Sequence, residues 1–458
     1  MSMRFSKERR METIERWLFG FLVILLPFQT RILLRDAAAA GGSLTEWTGL
    51  WLYASDLVVV LLFMVWLFRR PAVRDLAPVG VVLLFLPALL VHPSLLAFWR
   101  FGMIAEGAFL LAYVRARRHW ITEALARPRV FHVLLLGIVI NALVGIAQFA
   151  MQGDLGLSVL DESPLSPDIP GVAKLSVQGG TLIRAYGITG HPNVLAAVLV
   201  AGLALISFLA CFRGVGRRAA YSFARQREAM LRGLLLFVMV LALAMTFSRS
   251  GWSAALLAVG LFLGLTAALR RLRSLYLFDA ARVAILLVAV LLLVVGILAP
   301  FIGARVSGTT PHEQAVTLRE DYAREAVNMI GSEPVFGVGL GGYVGAFAER
   351  RPDAPEWMLQ PVHNMTLLIA AEAGLPAMAL LVSFFVLLII TTLRRLRETH
   401  DPTIALSEAF AVSLAVAVLM FSLTDHLLWT SKQGMLLLWM TMGLLAPPLK
   451  SQFSQESA

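Results

Sequence analysis

Apolar residues run in long, nearly unbroken stretches from one end of the chain to the other, separated by short polar gaps. The stretches fall at roughly 17–34, 48–68, 76–91, 94–114, 130–151, 192–212, 233–248, 251–269, 281–300, 376–393, 404–423 and 434–447, about twelve in all. Each is long enough to reach across a hydrocarbon layer of about 30 Å. Inside lipid every backbone amide must be satisfied within its own segment, so such uniform runs predict helices, and the alternating ten-residue pattern of barrel strands is absent. The pattern therefore predicts an all-α, polytopic transmembrane bundle of about 12 spans. A further apolar piece, 364–375, reads as a short helix entering from the surface and broken at Gly374 and Pro376. The first apolar run lacks a small-residue cleavage site and is followed by eleven more, which argues against a signal peptide.

Composition agrees: 59% of the 458 residues are hydrophobic, with a net charge of +10. The positions of the basic residues decide what that charge means. Arg4, Lys7, Arg9, Arg10 and Arg16 precede the first span. Clusters follow at 69–74, 115–129, 213–232, 270–282 and 394–397. They occupy every second loop, as the positive-inside rule asks of twelve spans with both termini in the cytoplasm. The excess is thus topological, and no nucleic-acid role is expected. Cys211 is the only cysteine, which excludes an internal disulfide or a thiol metal site.

This topology divides the chain into N-terminal helices (1–151), a first outer loop (152–191), central helices (192–300), a large outer loop (301–363), C-terminal helices (364–447) and a cytoplasmic tail (448–458). The first loop is rich in Pro, Gly and Ser and has room for a short hairpin. The second carries an amphipathic helix at 313–331, with Leu318, Tyr322, Ala326 and Met329 on one face. Loops this long with apolar residues in them are more often functional than not.

Several arginines escape the positive-inside pattern: Arg184, Arg249, Arg305, Arg319 and Arg324 lie in outer loops or at outer helix ends. Any one alone reads equally well as a snorkelling anchor. Together they suit an anion, because a guanidinium offers phosphate oxygens a planar, permanently charged fork. "RAYGITGHPN" (184–193) leads into a helix start at His191-Pro192-Asn193, where free backbone amides favour anions; a plain helix start fits that stretch equally well. "TFSRSGW" sets Arg249 in a very tight outer turn. "GVGLGGY" (337–343) contains Gly337, Gly339 and Gly342 in G-x-G-x-x-G spacing, but no strand precedes it and no βαβ unit surrounds it, so a dinucleotide site is rejected; a loop whose backbone approaches a bulky ligand is the better reading.

His363 and Asn364 stand at the mouth of the short apolar helix. A neutral imidazole there suits proton abstraction, and Asn364 could position it or a sugar hydroxyl. Asp425 and His426 form a second polar pair at an outer helix end. Glu106 and Glu372, inside apolar runs, suggest pairing with arginines within the bundle. The outer loops hold no metal-ligand spacing, and the chain has no nucleotide-binding loop, so neither metal nor any other cofactor is expected.

The ordered set "GITGHPNVLA", "FSRSGW", "EPVFGVGLGGY" and "PVHNMTLLIAAEAGL", with "YASDLVVVL" (53–61) upstream, resembles the O-antigen ligase and polymerase family across roughly residues 180–430. The resemblance implies a GT-C-like bundle in a bacterial inner membrane, with its active site on the periplasmic face. It implies inverting, metal-independent transfer of a glycan from undecaprenyl diphosphate, either to lipid A core (a ligase) or to another glycan (a polymerase). The large second loop favours the ligase slightly. The residues that match are His363 for the base and Arg184 and Arg249 for the diphosphate, with Arg319 as a third candidate; His191, Asn193, Asn364, Asp425 and His426 are supporting candidates. Because the family also includes members named as bicarbonate transporters, the alternative is a carrier of a small anion or of a lipid-linked sugar.

Overall fold

The computed structural model describes residues 2–36, 45–125, 128–177, 180–212, 223–307 and 312–448. Among these the chain is an all-α polytopic membrane protein. Seven helices are long and apolar enough to cross a membrane: Val73–Val91, Leu95–Ile121, Pro192–Phe212, Arg249–Ala268, Arg270–Gly303, Met365–Glu398 and Pro402–Thr424. Shorter apolar helices cover Ala54–Phe68, Leu135–Met151 and Met230–Met245. The innermost are Pro192–Phe212 and Pro402–Thr424, buried along most of their length; Arg249–Ala268 packs against both.

The helix starts follow their sequences. Asp401 accepts from the amides of Thr403 and Ile404 ahead of Pro402, Ser248 accepts from Gly251, and Ser431 accepts from Gly434. These are ordinary N-caps worth about 1 kcal/mol each.

Two expected spans are shorter than the hydrophobic pattern suggested. The run 17–34 is helical only to Leu25, and 48–68 only from Ala54. The residues between pair as strands: β1 (Arg31–Asp36) runs antiparallel to β2 (Gly49–Tyr53). Hydrophobicity alone could not separate these β-prone ends from the helices they adjoin. In the first long loop β3 (Lys174–Val177) pairs with β4 (Gly180–Ile183) as a small hairpin, in the place its composition allowed. The helix ending the central block continues past residue 300 to Ser307, and the amphipathic helix spans His312–Ser332.

The two ends of the bundle differ. At one end buried Glu15 is paired with Arg69 and with Arg117 (2.6 Å), and buried Glu408 with Arg118 (3.0 Å) and Arg395 (3.1 Å). These arginines belong to the sequence's basic clusters. The other end carries the strands and both long loops.

The glycine-rich stretch has a structural use at that loop-bearing end. Gly374 sits at φ 86° and breaks its helix in two, where the sequence suggested. A Cβ there would fall 2.0 Å from the Val335 carbonyl oxygen. The amides of Val338 and Gly339 donate to the carbonyls of Ala371 and Glu372 (2.8 and 3.1 Å), and Leu375 donates to Pro334 (2.8 Å). Gly337 (φ 67°) presses so closely that a Cβ would come within 2.4 Å of Glu372. So the loop's backbone does approach something bulky, but it is the protein's own broken helix, whose exposed amides and carbonyls it satisfies. The embedded glutamates also find partners other than arginine: Glu106 and Asp56 share Lys432 (2.5 and 2.6 Å), and Glu372 accepts from the Trp429 indole (3.0 Å).

Candidate functional site

Arg184 follows β4, and its neighbour Ala185 donates its amide to Met245 at the turn between two spans (3.0 Å). In that turn Phe247 adopts φ 46°, a strained left-handed backbone for a bulky residue. The strain turns the chain sharply enough for Arg249 to open the next helix directly. Arg184 Nε donates to the Thr246 carbonyl (2.5 Å). The turn therefore holds both arginines side by side. Arg319, from the amphipathic helix His312–Ser332, completes the group. Arg184, Arg249 and Arg319 line one cavity of about 230 Å³ together with Asn193, Ser248, Ser250, Ser253 and Thr424. Among the described residues lining it there is no carboxylate.

A second cavity of about 240 Å³ lies beside it, and His191, His363, Asp425 and His426 all line it. The rings of His363 and His426 meet edge to face at 5.0 Å. Tyr322 stacks on His363 with an interplanar angle of 9°, and Trp47 meets His426 edge-on at 5.5 Å. Tyr322 stands three positions after Arg319, on the same side of their helix. One amphipathic helix thus serves both cavities.

Asn193 joins the two. Its Oδ1 accepts from Arg184 Nη2 (3.0 Å), and its Nδ2 donates to Asp425 Oδ2 (2.6 Å). The other carboxylate oxygen of Asp425 accepts from the Leu427 amide (3.0 Å). His191 Nδ1 accepts from the Asn193 amide (3.1 Å), so His191 caps the helix Pro192–Phe212. Asn364 is the cap of the helix that follows His363. Its oxygen accepts from the Leu367 amide and from Thr366, and its amide donates to the Leu423 carbonyl (3.3 Å). It fixes His363 one residue upstream, and it is not among the residues lining either cavity.

Burial sets the protonation of this group. Desolvation, then the Arg184 guanidinium, with smaller contributions from His426 and Arg319, pushes His191 down to about 3. Desolvation likewise pushes His363 down to about 3, aided by His426, Arg319 and His191. His426 is lowered by burial too. Burial alone would raise Asp425, but His426, His363, His191 and the Asn193 amide hold it below the usual carboxylate range. At neutral pH the site is one carboxylate among three neutral imidazoles. The Nδ1 of His363 is buried and without a hydrogen-bond partner.

Every residue singled out in the two outer loops and at the helix ends is thus accounted for, except Arg305, whose side chain lies outside the described residues. Arg324 turns away and pairs with Asp321 (3.1 Å). The sequence reading missed Trp47, Tyr53, Arg31, Glu46, Gln360 and Gln433, all on the second cavity. The opposed charges of Arg31 and Glu46 beside the aromatic run "WTGLWLY" were the available signal.

Residues 234–382 match the family model described as O-Antigen ligase. No curated protein matches the chain. The matched segment holds Arg249, Arg319, Tyr322 and His363, and it supports a membrane role in transferring glycan during polysaccharide assembly. Arg184, His191, Asn193, Asp425 and His426 lie outside it and are brought to it by the fold.

Proposed function

We propose that this chain, with its O-antigen ligase domain at residues 234–382, passes a glycan from undecaprenyl diphosphate to a sugar hydroxyl on the periplasmic face of a bacterial inner membrane. What supports the reading most is one observation: three arginines from three distant segments converge on a cavity whose Asn193 hydrogen-bonds Asp425 of a neighbouring, histidine-lined cavity.

The donor's diphosphate sits against Arg184, Arg249 and Arg319. His363 accepts the proton of the acceptor hydroxyl, whose oxygen attacks the anomeric carbon. The bond from that carbon to the phosphate oxygen breaks, and undecaprenyl diphosphate leaves with the electron pair. Attack opposite the leaving group inverts the anomeric configuration. The arginines stabilise the charge that collects on the leaving oxygen, the kind of preorganised electrostatic term that dominates many transfers. An imidazole held near 3 is neutral at pH 7 and so able to accept a proton, but it is a weak base. A diphosphate beside Arg319 offsets one of the positive charges that depress His363, so donor binding strengthens the base when it is needed. The slight preference for a ligase, with lipid A core as acceptor, still rests on the large second loop.

Purified protein, given an undecaprenyl-diphosphate-linked glycan and either lipid A core or a second lipid-linked glycan, tests this. The expected result is release of undecaprenyl diphosphate and a glycosylated acceptor, unchanged in a chelator, and the acceptor used separates ligase from polymerase. No turnover with either acceptor, alongside bicarbonate or lipid-linked sugar uptake in proteoliposomes, would establish the transporter instead. Orientation has its own check: Cys211 is buried, so a cysteine at exposed Asp168 should be the site that an impermeant thiol reagent labels in spheroplasts.

A further inference from the structure

We propose that the histidine-lined cavity is a subsite for an uncharged sugar of the acceptor, with Trp47 as its aromatic surface and Gln433 as a donor to its hydroxyls. This rests on the glycosyl-transfer reading above and adds to it which sugars can be accepted.

The cavity's place settles whose sugar it holds. The group that takes the acceptor's proton must touch the acceptor, and His363 lines this cavity, whereas the arginines that hold the leaving group line the other. At about 240 Å³ it is below the roughly 300–1,000 Å³ of sites for drug-sized ligands, a scale that suits one small polar ring.

Its chemistry is that of a neutral polyol site. The one arginine on its wall already has its charge matched: Arg31 forks onto Glu46 (2.6 and 3.0 Å), reaches Asp161 (3.1 Å) and lies 3.9 Å over the Trp51 ring. Glu46 is taken up by that pair, so the charge left among the described lining residues is the carboxylate of Asp425. A phosphorylated or carboxylated sugar would therefore face that carboxylate with no unmatched cation among the described lining residues. An uncharged sugar would meet the aromatic side chain of Trp47, onto which a ring's apolar face can pack, and polar groups for its hydroxyls. One of these stands out. Gln433 is 2% exposed, lines the cavity, and its Nε2 has no hydrogen-bond partner. Leaving a buried donor unmet is costly, and an oxygen from a sugar hydroxyl would meet it. Trp47 comes from the turn Thr45–Thr48, far upstream of the O-antigen ligase domain, so acceptor choice resides in a part of the chain distinct from the segment holding Arg249 and His363.

The test is a transfer assay with the undecaprenyl-diphosphate-linked donor and three simple acceptor probes: methyl hexosides, hexose phosphates and hexuronic acids. Methyl hexosides should be used and the two anionic classes should be poor acceptors. Trp47→Ala should raise the acceptor KM about tenfold, the scale of a lost aromatic contact, and leave the donor KM unchanged; Trp47→Phe should restore most of it. Gln433→Leu, which keeps the volume, should raise the acceptor KM about fivefold even if Trp47→Ala proves poorly folded. Equal use of hexose phosphates, or a rise in donor KM in place of acceptor KM, overturns the subsite and leaves the transferase reading standing. No turnover with any acceptor overturns both.

Discussion

The two cavities are nearly equal in size, about 230 and 240 Å³, and almost opposite in chemistry. The first gathers three permanently charged guanidiniums and several hydroxyls. The second gathers rings, amides and a single buried carboxylate among neutral imidazoles. Asn193, on the first cavity, links it to the second through its amide: oxygen toward Arg184, nitrogen toward Asp425. On the proposed function, the separation follows from what each task needs. Holding a diphosphate requires charge that no pH change removes, which arginine supplies. Taking a proton requires a neutral base, and a base set directly among the arginines would be driven still further from useful basicity. On the proposed function, dividing the two tasks lets each environment suit its own step, while the Asn193–Asp425 hydrogen bond ties the two sites together.

The largest effect should come from the second cavity. His363→Ala is expected to cut turnover by roughly 10²–10⁴-fold, the usual contribution of a general base, with donor affinity unchanged because no arginine is disturbed. Binding of a lipid-linked donor in detergent, measured beside turnover, separates the two quantities; near-normal turnover would remove His363 from the chemistry and leave His191 and His426 as the bases to test. In the first cavity the pattern should reverse. Arg249→Lys and Arg319→Ala should each weaken donor binding by about 10–100-fold, the scale of a charge-assisted hydrogen bond. The lysine variant is expected to fail because a point charge cannot replace a fork. Substituting Asn193, which bonds Arg184 on one side and Asp425 on the other, should touch both. Asn193→Asp sets a second carboxylate against Asp425, so it should worsen donor KM and turnover together, each by about tenfold. A defect in only one of them would mean that the cavities work independently.

Much of this was legible in the sequence, because the constraints there are strong. Lipid forces long apolar runs into helices, so each predicted span contains one. Gly374 and Pro376 advertised the broken helix. The arginines outside the positive-inside pattern stood out because that pattern is so regular, and the three with matching positions meet in one cavity. The failures have a different cause. At 31–36 and 49–53 an apolar run ends in strand, and hydrophobicity has the same value in either form. The glycine-rich stretch suggested a ligand because its true partner, the broken helix at 371–375, is defined only by tertiary structure. Gln433 stayed invisible for the same reason, and the signal for residues 46–47 was no more than the opposed charges of Arg31 and Glu46 beside an aromatic run. Only packing brings residues 46–47 and 433 to His363. Asn193 was noticed for its place at a helix start, but its link between Arg184 and Asp425 spans 232 residues on one side and no local pattern encodes it.

The smallest effect to test is acid stability, where the two cavities should differ in kind. Arginine does not titrate in the physiological range, so the first cavity should add no pH dependence. The second should. His191 and His363 titrate near 3 in the folded protein and His426 is lowered as well, against about 6.5 for an unfolded histidine. Their folded pKa values lie below the unfolded ones. Between those values the unfolded chain binds protons that the folded chain refuses, so stability is full above about pH 6.5 and falls as the pH drops from there toward 3. Asp425 adds nothing in most of that window, since its lowered pKa costs stability only once the pH falls below the unfolded carboxylate value of about 3.9. Melting of the detergent-solubilised protein between pH 8 and pH 4.5 should therefore show an acid decline of several degrees. His191→Asn, which preserves the helix cap, and His363→Gln should each flatten that decline by removing one refused proton. If both variants kept the acid slope of the parent protein, the histidines would not be neutral and buried as described, and the contrast between the cavities would lie in shape alone.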